Sequence, residues 1–370
     1  MKLPVRILLS VLCAALIICM PFVISSPSIL PVQEETTLND IEDDDEGEEL
    51  DFGRIFISVS FADEAADEQV ITEDIDLEEL ITPEKLSIPE SWALPLDFSI
   101  PPEPDPEHFT ENGYEDSSIR VRIETREIMD STVHIAFVEI ADASQFRTAT
   151  AGGVNSVKTN VLQAIAGANH AVIAMNGDLF VENPEKKTFE VRMKQVVTYK
   201  QKRNRTNKLK DVLTVDENGD FHIFIKSAGL SEYISSHKNK TVNAFTFGPA
   251  LVVDGEIPKL DTQYAYNPNG LDARSAIGQT GPLSYVMVIV EARGNNSKGV
   301  THAQLAEIMK DLGCSQAYNL DGGNTAEILL TGPDSDSPLI HERGDRTAGK
   351  YRSHSDIIYF ATAVPEEERD

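Results

Sequence analysis

The chain has 370 residues, enough for one or two domains with a substantial core, and a formal net charge of −29. The acidity is local: residues 34–118 hold 29 Asp/Glu against 2 Lys/Arg, whereas residues 119–370 hold 32 against 28. The rest of the chain is near neutral and has no basic stripe, which argues against nucleic acid as a partner.

In chain order, Lys2 and Arg6 precede an uncharged run from Ile7 to Ile24. Residues 1–24 therefore read as a signal peptide or a signal-anchor helix, which predicts an extracytoplasmic protein, secreted or membrane-anchored. Cys13 and Cys19 fall inside this segment. That leaves Cys314 as a small core hydrophobe, with no internal disulfide in the exported part. Residues 25–118 read as an acidic, proline-containing linker, mostly disordered. Within it Asp43-Asp44-Asp45-Glu46-Gly47-Glu48-Glu49 repels itself and stays solvated. The alternating 54–61 stretch and the 92–100 stretch around Trp92 are either transient structure or docking motifs.

A folded domain is predicted over 119–364, followed by a charged tail at 365–370. Residues 119–127 and 133–140 alternate apolar and polar across Met129-Asp130-Ser131-Thr132, a hairpin pattern. Val157, Val161, Ala164, Ile165 and Ala168 share a helix face. A buried strand at 171–175 then runs into Asn176-Gly177-Asp178-Leu179-Phe180. After a basic, polar stretch at 186–210, Glu217-Asn218-Gly219-Asp220 and Asp254-Gly255 mark two hairpin turns. Asp272-Ala273-Arg274 leads to Tyr285-Val286-Met287-Val288-Ile289-Val290, whose continuous apolar character suits a central strand ending in Glu291-Ala292-Arg293. In 301–312, Thr301 and Gln304 form a capping box. Leu305, Ile308, Met309 and Leu312 fall on one face before Gly313. A short strand at 315–320 delivers Asp321-Gly322-Gly323, and 356–364 is the last strand. Strands outnumber interspersed helices, which predicts an α+β fold: a single domain with a central mixed sheet and flanking helices, preceded by a disordered acidic segment.

Three apolar strands thus end in polar clusters, at Asn176/Asp178, Glu291/Arg293 and Asp321-Gly322-Gly323, and Arg274 precedes a fourth. Charged groups at buried strand ends are costly unless they meet a partner or a ligand, and convergence on one cleft would account for all four. Each cluster could also cap its own strand. The histidines suggest little: His134, His170 and His222 read as packed groups, and His354 as a surface-loop residue. No histidine pair or cysteine cluster has zinc spacing, and neither a metal nor another cofactor is expected.

The order of these motifs, continued by Ser297-Lys298-Gly299 and Arg352-Ser353-His354-Ser355-Asp356, resembles the phosphodiester glycosidase family, and most closely its exported bacterial members. The resemblance spans roughly 119–364. It implies a hydrolase that cleaves a sugar-1-phosphodiester, of α-GlcNAc-1-phosphate type, at the anomeric C–O bond in envelope or extracellular glycopolymers. It implies Asp321 and Glu291 as a carboxylate pair. Arg274 would be a bidentate donor to the phosphate, assisted by the Gly322 and Gly323 N–H groups. Asn176 and Asp178 would hold sugar hydroxyls, Arg293 would orient a carboxylate, and Thr325 would keep one hydroxyl in the substrate loop. The chain departs from the family where Asp321-Gly322-Gly323 continues as Asn324-Thr325-Ala326-Glu327. Glu327 adds a negative charge beside a phosphate site unless it points away or is paired. The other reading is a non-catalytic, envelope-attached module that binds glycan or phosphate. Either way the partner is a phosphodiester-linked sugar or glycopolymer, and any membrane contact runs through the N-terminal apolar segment alone.

Overall fold

The structure, a computed structural model, describes residues 85–369 apart from 157, 179–189, 198–209, 238–239, 265–266, 295, 335–336 and 348. The apolar 1–24 stretch, the acidic block, the 54–61 stretch, Val157 and most of 186–210 lie outside the described residues. Among the described residues no helix is long and apolar enough to cross a membrane.

The central strand is Ser284–Val290, and its register explains its composition. It pairs with Arg274–Gly281 on one side and Ser131–Ile140 on the other, antiparallel in both cases. Tyr285, Met287 and Ile289 point into one core, and Val286, Val288 and Val290 into a second. A strand covered on both faces is apolar throughout, whatever the direction of its neighbours. The expected mixed sheet is therefore corrected: among the described residues every strand ladder is antiparallel. Among the described residues the α-helices are few and short, at Leu162–Gly167, Leu230–Ser236 and His302–Asp311.

The eight-stranded sheet runs from Phe109–Thr110 at one edge to Gln316–Asn319 and Ala250–Val252 at the other. One of its faces buries Ile277, Met287 and Tyr318 against Ile173, Met175, Ile328 and Phe360 of a five-stranded sheet. Leu213, Val215 and Phe245 of a second five-stranded sheet join the same core. The opposite face packs on the His302–Asp311 helix through Leu305, Ile308 and Met309. That helix starts with the expected reciprocal cap between Thr301 and Gln304, and Gly313 beyond its end takes φ 81°. Cys314 is buried here, and burial pushes its thiol up to about 12. The Ile119–Ile128/Ser131–Ile140 hairpin turns through Met129 and Asp130, both at positive φ, the geometry that matches strand twist in two-residue loops.

The folded body begins before Ile119. Residues 85–118, which read as linker, pack on the domain. Arg147, 1% exposed, donates to the carbonyls of Pro95, Asp97 and Ser99 at 2.8–2.9 Å. Phe98 packs against Val154 and Val197, and Gly113–Glu115 pairs with the Ile119–Ile128 strand. Proline and acid composition masked a segment whose backbone carbonyls satisfy a buried guanidinium. The unit that contains the site spans Pro83–Asp370.

Candidate functional site

Antiparallel pairing builds the site. Ala276 lies opposite Asn319. Leu320 donates its N–H to Ser275 O at 2.8 Å, which continues the alignment one pair past the last ladder pair, whereas Gly323 donates to Ala273 O at 2.8 Å, one residue out of that register. Two residues beyond Ala276 and Asn319, this register sets Arg274 across from Asp321. Alternation then places Arg274, Asn319 and Asp321 on one face. Together they line a cleft of about 330 Å³ whose loop side is Gly322, Gly323, Asn324 and Thr325. Asp272, Phe247, Asn267 and Arg352 complete it. Two carboxylates and two guanidiniums thus share one polar pocket.

Arg274 is 3% exposed. Its Nε donates to Val300 O at 3.0 Å, and its Nη2 to Asn267 O and Gly270 O at 2.8 and 2.9 Å. Nη1 lies 3.0 Å from His302 Nε2. Burial lowers Arg274 to about 10, which keeps it charged at neutral pH. Burial, and then the Arg274 charge, lower His302 to about 3, so its neutral ring accepts from the guanidinium. At least four of the five N–H groups of a guanidinium are thus spent on protein acceptors. The bidentate phosphate donor expected at Arg274 is corrected to a fixed positive charge that also holds the 267–270 loop. Arg352 is exposed at the rim, with Nη1 on Asn324 Oδ1 at 2.8 Å.

The Asp-Gly-Gly turn is bound to the start of the Arg274–Gly281 strand. A Cβ on Gly322 would lie 2.6 Å from Ala273 O, so only glycine fits this approach. Gly323, at φ 63°, spends its N–H on Ala273 O and does not offer it to a ligand, contrary to expectation. Thr325 turns its hydroxyl to Gly322 O at 2.5 Å, which tightens the loop from within. Arg293 reaches Asp272 Oδ1 and Asp345 Oδ2, both at 2.5 Å, so the carboxylate it orients is Asp272.

The other sequence candidates lie around this pocket. Asn176 is 1% exposed. Its Nδ2 donates to Asp321 O at 2.8 Å, and its Oδ1 accepts from Ser275 Oγ and from Glu327 N, each at 3.0 Å. It is a strut between three strands. Asp178 accepts from Thr246 N at 2.6 Å within a buried group that also contains Glu190, Asp356 and Arg192. Burial, reinforced by neighbouring acids, pushes Asp178 up, and takes Glu190 to about 8. Glu291 follows Val290 and turns to the opposite face of the sheet. There its Oε1 is 2.8 Å from His134 Nε2 and its Oε2 is 3.5 Å from Arg346 Nε. The structure does not bring Glu291 to the wall shared by Arg274 and Asp321. His134, Glu291 and Glu342 present ligand atoms within 4.8 Å of one another, a set able to hold a metal ion, although Arg346 already bridges both glutamates. Glu327 points away from the cleft, between His341 and His354. Burial would raise its carboxyl, but the two imidazoles hold it below the usual range. His354 is accordingly a buried partner of Glu327 and not a surface-loop residue.

The sequence pattern of the phosphodiester glycosidases matches residues 169–360, more than half of the chain. The chain belongs to the phosphodiester glycosidase family. Members are glycosidase-type hydrolases, and the matched span contains every residue of the cleft. The SPbeta prophage-derived uncharacterized protein YomE of Bacillus subtilis (strain 168) is 30% identical over 90 residues, 24% of this chain and 14% of that protein, so only a small part of that relative is matched. Among solved structures, the zebrafish N-acetylglucosamine-1-phosphodiester α-N-acetylglucosaminidase catalytic domain aligns with a TM-score of 0.48 and 17% identity, over 66% of this chain and 83% of that one. A hypothetical protein from Synechocystis aligns at 0.43 and 15%, over 65% and 62%.

The sequence motifs did not single out Asp272, Asn319 and Arg352 as cleft residues. All three stand inside or beside sequence motifs, but only strand register shows which side chains face inward. Phe247 and Asn267 carried no signal, because they arrive from loops remote in sequence.

Proposed function

We propose that this glycosidase hydrolyses a sugar-1-phosphodiester of α-GlcNAc-1-phosphate type at the anomeric C–O bond. The supporting observation is the placement of Asp321 opposite Arg274, with Asp272 and Arg352 in the same cleft. A phosphate leaving group is a weak base, so the main requirement is to hold its negative charge while positive charge develops on the sugar ring. Arg352 meets the phosphoryl oxygens at the rim and Arg274 supplies a desolvated charge beneath them. Asp321 and Asp272 are the carboxylate pair, with Asp272 in the role assigned by motif to Glu291. One stabilises the sugar cation or attacks it, and the other handles the proton of the incoming water. The C1–O bond electrons leave with the phosphoryl oxygen, giving a phosphomonoester, and the water oxygen bonds to C1. Asn176 positions Asp321 without touching substrate. The uncharged run from Ile7 to Ile24 and the acidic segment behind it support an extracytoplasmic, secreted or membrane-anchored enzyme acting on envelope or extracellular glycopolymer.

The test is release of free GlcNAc from a methyl α-GlcNAc-1-phosphodiester by the purified chain. Asp321→Asn and Asp272→Asn should each lose about a hundredfold or more in kcat with the fold intact. Retained binding with no turnover by the unaltered chain would replace the hydrolase with a glycan-binding module, the reading that the Asn324-Thr325-Ala326-Glu327 departure favours.

A further inference from the structure

We infer that Asn319 is a specificity-determining residue of the cleft, accepting a hydrogen bond from one ring hydroxyl of the sugar that carries the phosphate. The inference rests on the hydrolase reading for its substrate class, but on separate observations for the residue. Asn319 is 1% exposed and is one of the residues that line the cleft. Its backbone N–H donates to Pro249 O at 3.0 Å and its Nδ2 to Gly248 O at 2.7 Å. Its Oδ1 is buried and has no hydrogen-bond partner among the described residues. The amide cannot relieve this by flipping, because a flip would set Oδ1 against Gly248 O. An orphaned buried acceptor is costly, and native proteins retain few of them.

The chemistry of the missing partner is restricted. Oδ1 can only accept, so phosphate oxygens and carboxylates are excluded and a hydroxyl or an amide N–H is required. Register places Asn319 two residues along the strand from Asp321, on the same face as the Arg274–Asp321 pair. The phosphoryl group is served by the guanidiniums and carries no hydroxyl, whereas the sugar ring carries several hydroxyl donors. Asn319 thus reads the ring, while Arg352 and Arg274 read the phosphate. A cleft built in this way rejects a sugar that lacks the matching hydroxyl, since the acceptor then stays unpaired.

The experiment compares kcat/KM for methyl α-GlcNAc-1-phosphodiester and its 3-, 4- and 6-deoxy analogues in the wild-type chain and in Asn319→Ala, with Asn319→Ser as the second variant should the first fail to fold. The wild type should disfavour one analogue by about a hundredfold, and the variant should reduce that gap to within about threefold, the non-additivity expected of a direct contact. A purely structural Asn319 would lower all four substrates by the same factor, and that result overturns the inference. So does the lack of any Asn319-dependent difference among the three deoxy analogues. If the wild type turns over none of these, the same comparison is made by calorimetric binding of α-GlcNAc 1-phosphate and its deoxy analogues. Asn319-dependent discrimination there upholds the inference while the hydrolase reading falls, and absence of wild-type binding overturns the inference.

Discussion

Replacing Asn176 by alanine should unfasten the Asp321 loop. The Asn176 side chain is the only group described here that joins the Ile173–Asn176 strand to Asp321 O, Ser275 Oγ and Glu327 N at once. Alanine removes all three links and leaves a buried N–H, a carbonyl and a hydroxyl to find new partners. At about 1 kcal/mol net per hydrogen bond the loss is about 3 kcal/mol. For a domain of this size that lowers Tm by about 6–12 °C. Asn176→Asp makes the sharper comparison. A carboxylate can still accept from Ser275 and Glu327 but cannot donate to Asp321 O, so Asp321 is released while the other two links persist. We expect Asn176→Asp to keep more of the stability than Asn176→Ala yet to lose kcat to a similar degree. Thermal melts by circular dichroism and phosphodiester turnover below the melting range measure the two quantities. An Asn176→Ala protein that melts within about 2 °C of wild type and retains full kcat would refute the strut.

Three further outcomes follow from particular contacts. Gly322→Ala puts a Cβ 2.6 Å from Ala273 O. The loop must move off the strand, and misplacement of this kind should cost about a hundredfold in kcat/KM; wild-type kinetics in this variant would mean the turn is not part of the site. Arg293→Leu removes the exposed guanidinium that holds Asp272 and Asp345. Stability should change by less than about 1 kcal/mol, as for other surface ion pairs, whereas substrate turnover should fall because Asp272 is freed; the reverse pattern in melts and kinetics would contradict its orienting role. Glu190 is raised from an ordinary 4.5 to about 8 by burial and by Asp178. The folded state therefore holds this proton longer than the unfolded chain does. Its stabilising contribution is complete below about pH 4.5 and is lost as pH rises through about 8. Asp178 and Asp356 are raised as well, which pushes in the same direction. Tm should fall between pH 5 and 9 and fall less in Glu190→Gln, and a flat wild-type profile would count against a protonated acid in this core.

Local chemistry made several elements legible in advance. The Thr301–Gln304 cap marks the His302–Asp311 helix because both residues must satisfy orphan N–H groups at its start. Met129-Asp130 marks the hairpin, and Asp321-Gly322-Gly323 marks a strand end where backbone approaches backbone. What stayed hidden depended on pairing. Val290 lies opposite Arg274, so Glu291, one residue on, faces away, while Asp272 lies within the cleft. A one-residue difference in a strand reverses the face of a side chain, and no motif encodes that. Strand direction was hidden for a related reason, since the Tyr285–Val290 run is apolar because two cores cover it and not because its neighbours are parallel. Residues 85–118 were misread because their anchor, Arg147, lies far along the chain and binds carbonyls that any sequence possesses.

Hydrolysis of the methyl α-GlcNAc-1-phosphodiester in ¹⁸O-water, with the products weighed by mass spectrometry, puts the cleft chemistry to its most direct trial. Cleavage at the anomeric carbon predicts ¹⁸O in the released sugar and none in methyl phosphate, with turnover abolished in Asp321→Asn. Label in the phosphate would show attack at phosphorus, and the account of a sugar cation flanked by Asp321 and Asp272 would be wrong.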